Sequence, residues 1–158
     1  MHKESPVFLL KDVLKATNGT LISGKPETAF YGISTDSRSI ERGNLFIALK
    51  GDHFDGHDFA ETVFKEGAAG ILIHDDKKIS HLQVDKNFTV MKVADTLFAL
   101  GDLAHAWRKR FSIPVIGVTG SSGKTTTKEM ISSIAGRKKN ILKTEGNLNN
   151  LIGLPQTI

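Results

Sequence analysis

The chain has 158 residues, of which 39% are hydrophobic and 24% charged, with a formal net charge of +4. These totals are typical of a soluble globular protein with one ordinary domain, or with a small domain and part of another. The absence of cysteine excludes disulfides and cysteine-based metal sites, and neither a membrane span, a signal peptide nor a basic-aromatic stripe for nucleic acid is found, so we expect a cytoplasmic protein.

A helix is predicted at the start of the chain. Ser5 and Pro6 have the pattern of an N-cap followed by proline at the first helical position. Asn18 and Gly19 are typical of a helix end. A short apolar run then predicts a strand at residues 20–22.

Two strands and a second helix are predicted next. The strands cover residues 30–35 and 44–49, and a polar loop at residues 52–57 leads into the helix. Asp58 and Glu61 have capping-box spacing for its first turn. Phe59, Val63 and Phe64 are predicted to form its buried face. Gly67 and Gly70 are predicted to end the helix.

The next predicted elements are two strands, at residues 71–73 and 88–91, and a third helix that Asp95 caps. Residues 75–86, between the strands, are polar and are expected to be exposed. The helix has apolar residues at steps of three and four, and these predict a buried stripe of Leu97, Leu100, Ala104, Trp107 and Phe111. The alternation of strands and helices predicts the α/β class.

A phosphate-binding loop is predicted between a strand that begins at Ser112 and a helix that begins at Lys124. Its residues are Gly120, Ser121, Ser122, Gly123, Lys124, Thr125 and Thr126. Backbone amides and the positive helix end favour phosphate oxygens, which indicates an ATP or GTP site. Lys124 is placed for the β/γ-phosphates and the Thr125 hydroxyl for Mg²⁺. The loop is a compact variant of the common pattern, because Val118 stands five residues before Gly123.

The predicted nucleotide-binding unit continues with a C-cap at Gly136 and a last strand at residues 140–144. One helix and two strands cannot cover both faces of a parallel sheet. We therefore expect a domain boundary that separates residues 1–111 from residues 112–158, the second range being the truncated start of a P-loop ATPase domain.

Four stretches together resemble the Mur ligases, the ATP-dependent amide ligases of peptidoglycan synthesis. The first is the P-loop at residues 119–125. The second consists of Ser34, Thr35, Asp36, Ser37 and Arg38, followed by residues 43–51. Residues 55–59 form the third. The fourth, residues 144–150 with Gly153 and Pro155, is similar to the family member that acts last in the series.

The resemblance, which covers essentially the whole chain, implies a ligase that uses ATP and Mg²⁺ to add D-alanyl-D-alanine to UDP-N-acetylmuramoyl-tripeptide through an acyl phosphate. It implies a small UDP-binding α/β domain at residues 1–111, the P-loop residues as ATP contacts and Lys124 as a catalytic group. The implied contacts of the UDP substrate are Ser34, Thr35, Asp36, Ser37, Arg38, His57, Asn147, Asn149 and Asn150. The 158-residue chain alone is expected to bind the UDP moiety without ligase activity.

Other interpretations of the same residues stay open. Asp36 and Ser37 also suit an ordinary turn, Arg38 a solvated cation, and His57 an exposed structural position. The alternative functions are the third-residue-adding Mur ligase, another P-loop enzyme such as a small-molecule kinase or a folylpolyglutamate-type ligase, and a non-catalytic module that binds a UDP nucleotide.

Overall fold

The computed structural model describes residues 6–80, 82, 85–146 and 148–157, which form two compact units. The first unit ends at Leu103 and the second begins at Ala104. Among the described residues, no helix combines the length and the hydropathy that a membrane crossing requires.

The first unit alternates strands and helices, which confirms the α/β class. Its strands are β1 (Phe8–Leu9), β2 (Thr20–Ser23), β3 (Ala29–Phe30), β4 (Gly32–Ser34), β5 (Asn44–Ile47), β6 (Gly70–Ile73) and β7 (Thr89–Lys92). Its helices are α1 (Leu10–Thr17), α2 (Ala60–Lys65) and α3 (Thr96–Arg108), the last of which runs past the end of the unit. Short 3₁₀ turns lie at Ser37–Ser39, Gly56–Phe59 and Lys77–Ile79.

Five strands of the described chain form one sheet in the order β2, β7, β6, β5, β4. Strands β4 to β7 run parallel to one another, and β2 pairs antiparallel with β7 at one edge. Strands β1 and β3 form a separate antiparallel pair. Because the four parallel strands share one direction, their carboxyl ends lie at a common edge of the sheet.

The core of the first unit lies on both faces of this sheet. Successive side chains of a strand point to opposite faces, and β5 and β6 are buried at every position. On one face Phe46, Ile71 and Ile73 pack in a cluster with Ala60 and Val63 of α2. Parallel strands buried on both faces are continuous apolar runs in sequence, which is why both strands were predictable.

The predicted helix start at Pro6 is wrong. Residues 8 and 9 form β1, and α1 begins only at Leu10. The backbone of this segment pairs with β3 instead: Phe8 lies opposite Phe30, and the Val7 amide donates to the Phe30 carbonyl at 2.8 Å. The predicted end is confirmed, since Asn18 caps α1 in the left-handed region with φ of 51°.

The single strand predicted at residues 30–35 is two strands, because β3 pairs with β1 and β4 pairs with β5. The capping box predicted from Asp58 and Glu61 is also wrong. Asp55 provides the cap, since its Oδ1 accepts from the His57 amide at 3.0 Å. Gly70 does not end α2 but opens β6.

The buried face of the second predicted helix differs as well. Val63 is fully buried and Phe64 half-buried, whereas 37% of Phe59 is exposed. On α3, the predicted stripe is rotated toward Thr96, Ala99, Leu100 and Leu103, which are the buried residues. The Asp95 cap is confirmed, because its Oδ1 accepts from the amides of Leu97 and Phe98 at 2.7 and 3.0 Å.

The second unit contains α4 (Lys124–Ala135) and α5 (Gly153–Thr157). The predicted helix start at Lys124 and the C-cap at Gly136 are confirmed. The strands predicted from Ser112 and at residues 140–144 are not formed, because these segments join no ladder in the described part of the chain. Their apolar side chains, among them Val115 and Leu142, remain exposed.

Candidate functional site

The carboxyl edge of the sheet is the first candidate site. Ligands of parallel α/β sheets bind at the carboxyl ends of the strands. Here the chain leaves β4 into the turn at Ser37–Ser39, β5 into the loop before Gly56–Phe59, and β6 into the turn at Lys77–Ile79. The fold thus brings the predicted residues 34–38 and His57 to one edge of the first unit.

The turn after β4 is held by its own polar side chains. The Ser34 hydroxyl donates to the Asp36 carbonyl at 2.9 Å and accepts from the Asp36 amide at 3.1 Å. Asp36 Oδ1 accepts from the Arg38 amide at 2.9 Å. Thr35 and Ser37 are half-buried within the same turn. These local bonds fix the turn before any ligand arrives.

Asp36 also binds the Arg38 guanidinium through two atoms. Arg38 Nε lies 2.9 Å from Asp36 Oδ1, and Nη2 lies 2.6 Å from Oδ2. The side-chain hydrogen bond from Arg38 lowers the pKa of Asp36 to about 2, and the carboxylate raises the pKa of Arg38. The Arg38 side chain is nevertheless 88% exposed. A fixed, exposed guanidinium at this edge can meet an anionic group of a ligand.

His57 lies inside the unit, with 2% of its surface exposed, so it does not take the exposed position that one interpretation gave it. Its Nδ1 lies 2.5 Å from Asp55 Oδ1. Its Nε2 accepts from the backbone amides of His74 at 3.2 Å and Asp75 at 3.4 Å. Direct contact of His57 with a ligand stays a prediction.

Three charged or titratable neighbours of His57 were not among the predicted site residues, namely Asp55, Lys78 and His74. Burial alone would raise the pKa of Asp55, but hydrogen bonds from the Lys78 ammonium and the His57 backbone hold it well below its usual range. Burial, followed by the proximity of His57, lowers the pKa of His74. Asp55 could have been noticed as a capping residue two positions before His57. No sequence signal links Lys78 or His74 to this cluster.

The P-loop is the second candidate site and lies in the second unit. Gly120 and Gly123 have φ of 148° and 75°, in the region that favours glycine. Gly123 is the N-cap of α4, so the first amides of the helix follow the loop directly. The Lys124 ammonium donates to the Gly120 carbonyl and thereby closes the loop. Exposed hydroxyls surround it, namely those of Ser121, Ser122, Thr125 and Thr126.

One P-loop residue, Thr125, offers an oxygen ligand that suits Mg²⁺. Thr125 places an exposed hydroxyl on the first turn of α4, next to Lys124. Protein-bound Mg²⁺ keeps several waters and phosphate oxygens, so one protein oxygen is sufficient at such a site. Within the described residues, no group of three or more His, Asp or Glu side chains could hold a metal ion.

The asparagine-rich segment follows in the same unit. Asn149 is exposed, whereas Asn150 Oδ1 accepts from the amides of Ile152 and Gly153 at 3.1 and 2.7 Å. Asn147 lies outside the described residues. The Lys128 ammonium, on α4, donates to the Thr144 carbonyl at 2.5 Å and so ties the start of this segment to the P-loop helix.

Known protein families match both units. Residues 29–108 match the Mur ligase family, catalytic domain. Residues 118–158 match the Mur ligase middle domain. The first match contains the residues of the carboxyl edge, and the second contains the P-loop from Gly120 onward.

Individual relatives carry the same assignment. A UDP-N-acetylmuramoyl-tripeptide--D-alanyl-D-alanine ligase of Bacillus subtilis is 44% identical over 94% of this chain and 32% of its own length. A crystal structure of MurF from Acinetobacter baumannii has a TM-score of 0.83 and 39% identity over 97% of this chain and 32% of that one. MurF ligase from Thermotoga maritima, in complex with ADP, has a TM-score of 0.69 and 36% identity, and the match covers 78% of this chain and 27% of that one. The chain thus spans about a third of the length of the relatives it matches.

Proposed function

Because the chain belongs to the Mur ligase family, we propose that it is part of an ATP-dependent ligase that adds D-alanyl-D-alanine to UDP-N-acetylmuramoyl-tripeptide. The observation that carries the proposal is the match along 94% of the chain to a relative of that name, which includes both the carboxyl edge and the P-loop. The proposed division of labour is UDP binding by residues 1–111 and ATP binding from residue 112 onward. The proposed location is the cytoplasm.

We assign the UDP moiety to the carboxyl edge of the sheet. The turn at residues 34–38 is preformed by Ser34 and Asp36, and Arg38 is held exposed beside it. A guanidinium forms paired hydrogen bonds with phosphate oxygens, which suits a diphosphate. Asn149, Asn150 and the undescribed Asn147 are assigned to the substrate by family resemblance alone.

We assign ATP to the P-loop. The amides after Gly123 and the ammonium of Lys124 would meet its phosphates, and the transfer of the terminal phosphoryl group to the tripeptide carboxylate would give an acyl phosphate. The amine of D-alanyl-D-alanine then attacks the acyl carbon, and phosphate leaves. Lys124 would stabilise charge on the transferred group after its ammonium leaves the Gly120 carbonyl. Mg²⁺, held in part by Thr125, supplies further charge neutralisation when bound.

The UDP assignment is tested by calorimetric titration of UDP-N-acetylmuramoyl-tripeptide into the 158-residue chain. We expect binding, and we expect Arg38→Ala to weaken it by about 1.5–3 kcal/mol, the value of a hydrogen bond to a charged group. Arg42→Ala is the matched control, because Arg42 lies just before β5, toward the amino ends of the parallel strands. Equal losses in the two variants, or no binding by the folded wild type, would contradict the assignment.

The choice among ligases is tested by the amine that the whole protein accepts. We expect phosphate release from ATP to require UDP-N-acetylmuramoyl-tripeptide and D-alanyl-D-alanine together. A preference for a single amino acid with the shorter UDP-linked precursor would instead support the third-residue-adding ligase. Activity with a folate substrate would support a folylpolyglutamate-type enzyme.

A further inference from the structure

The hydrogen bonds of His57 determine its chemical form. Nε2 faces two backbone amides, those of His74 and Asp75, and both can only donate. That nitrogen must therefore be an acceptor without a proton. Nδ1 carries the proton of the neutral ring and donates it to Asp55 Oδ1. Both ring nitrogens are thus satisfied within the fold, and each bonds a different segment of the chain.

The segment on the Asp55 side is a closed loop at the carboxyl edge. Lys50 and Asp55 form an isolated antiparallel bridge, and the Gly51 amide donates to the Phe54 carbonyl at 2.8 Å. The loop, residues 50–55, carries Phe54 at its tip with 75% of its surface exposed. Its base is fixed by the Gly56 amide, which donates to the Leu49 carbonyl at 2.8 Å.

The segment on the Nε2 side is the end of β6, where His74 and Asp75 follow Ile73 directly. Residues 56–73, eighteen in all, separate it from the loop in sequence, and the His57 ring connects the two segments. The Lys78 ammonium, from the turn after β6, closes a second link by binding Asp55 Oδ2. Charged and titratable groups near the ring include Asp55, Lys78, Asp75 and His74, whose ring lies edge-on with its centroid 4.4 Å from that of His57.

We propose that His57 is a positioning residue, whose neutral ring fixes loop 50–55 against the end of β6 and so shapes the carboxyl edge for its ligand. In this proposal it acts through the loop, in place of the direct ligand contact that the family resemblance implied. The part that concerns the ligand rests on the proposed UDP site, whereas the loop itself is testable without any ligand. The sequence motif at residues 55–59 is explained in this way by Asp55 as an anchor, Gly56 as a close-packed position and His57 as the connecting ring.

The first test measures the ring and the loop in the 158-residue chain without ligand. Nitrogen chemical shifts should show a neutral His57 ring with the proton on Nδ1. In His57→Phe, which keeps a ring but no polar atom, amide hydrogen exchange at Gly51 and Gly56 should accelerate about tenfold, while the Leu72 amide in β6 is unchanged. His105→Phe, at an exposed position of α3, is the matched control and should change neither.

A proton on Nε2, unchanged exchange in the loop, or equal acceleration throughout β6 would each overturn the proposal. If His57→Phe does not fold, His57→Gln and His57→Asn decide. Gln retains an acceptor that reaches the amides of residues 74 and 75 but loses the bond to Asp55, whereas Asn retains the bond to Asp55 but no acceptor for those amides. Because the proposal requires both bonds, we expect loop exchange to be faster than in the wild type in both variants, and wild-type exchange in either variant would overturn the proposal.

The second test titrates UDP into the same variants. Affinity should fall about tenfold in His57→Phe, which loses both links, and about threefold in His57→Gln, which keeps one of them. A loss in His57→Phe without faster loop exchange would mean direct contact and would overturn positioning. If the wild type binds no UDP, the proposed function fails at this edge, and the ring and exchange measurements still decide the role of His57.

Discussion

Gly56 is a position where the absence of a side chain is required by space. A Cβ there would lie 2.7 Å from Ala48 Cα and 2.8 Å from the Leu49 amide nitrogen, and backbone atoms cannot yield as a flexible side chain does. We expect Gly56→Ala to lower the free energy of unfolding by about 1–3 kcal/mol, the usual cost of overpacking. Urea unfolding measures this.

Gly101→Ala is the control for the same substitution. A Cβ at Gly101, within α3, would meet no atom within 4 Å. Since alanine favours a helix interior by up to about 1 kcal/mol over glycine, we expect this variant to be more stable than the wild type. An equal change in the free energy of unfolding in the two alanine variants would show that the close backbone contacts at Gly56 do not determine the cost of a side chain there.

His74 should make stability depend on pH above the range in which carboxylates titrate. Burial lowers its pKa, so between that pKa and the ordinary value of about 6.5 the unfolded chain binds more protons than the folded one. The contribution of His74 is therefore fully present above about pH 6.5 and is lost as the pH falls through the folded-state pKa.

The measurement compares urea unfolding at about pH 7.5 and about pH 5.5, on either side of the ordinary histidine pKa. The loss of stability on acidification should be smaller in His74→Gln than in the wild type. Asp55 does not interfere in this range, because its pKa is lowered and its effect appears only at more acidic pH. An identical loss in both proteins would refute the assignment to His74.

Local chemistry explains which site residues were predictable. The turn at residues 34–38 follows from Ser34 and Asp36, whose side chains bond amides within four residues of themselves. The burial of His57 does not follow from its neighbours in sequence, because the amides that bind its Nε2 lie at residues 74 and 75. Partners brought together by the sheet leave no local signal.

At the scale of the element, α3 offers a direct test of its predicted cap. Asp95→Ala removes the acceptor of the Leu97 and Phe98 amides, and we expect a loss of about 0.5–2 kcal/mol in the free energy of unfolding. Asp95→Asn retains an acceptor oxygen and should recover most of it. Asp102→Ala, an exposed site within the same helix, is the control and should be nearly neutral.

The elements that were predicted correctly carry strong signals of their own. Strands β5 and β6 are continuous apolar runs buried on both faces, and α4 follows the glycines of the P-loop. The first helix start failed because β3, about twenty residues later in the chain, pairs with residues 8 and 9. A Ser-Pro pair reports only local preference, and tertiary pairing overrides it.

The two units differ in how much of their apolar surface they bury. In the first unit, the strands of the sheet center are fully buried, among them β5 and β6. In the second, Ile113, Val115 and Ile116 before the P-loop are exposed, as is Leu142 after α4. The apolar composition of these runs predicted strands, but a strand forms only when a neighbour supplies the ladder.

The same difference predicts weak nucleotide binding by the second unit of this chain. The segments on either side of the P-loop join no ladder among the described residues, and the Lys124 ammonium is bound to the Gly120 carbonyl. If the binding-competent loop is populated to about a tenth, the apparent affinity falls about tenfold. We therefore expect the 158-residue chain to bind ATP with Mg²⁺ at least about tenfold more weakly than the full-length Bacillus subtilis relative.

Calorimetry on both proteins measures that ratio, and Lys124→Ala in each distinguishes the P-loop from adventitious binding, since only the loop depends on this ammonium. Phosphate release with ATP, UDP-N-acetylmuramoyl-tripeptide and D-alanyl-D-alanine should be detectable for the relative and absent for the 158-residue chain. Two results would contradict this prediction: an ATP affinity of the 158-residue chain equal to that of the relative, or phosphate release by this chain that depends on the dipeptide. Either would show that the P-loop binds ATP productively without paired neighbouring strands. For UDP we expect no such loss, because the strands that lead to the turn with Arg38 are paired within their own unit.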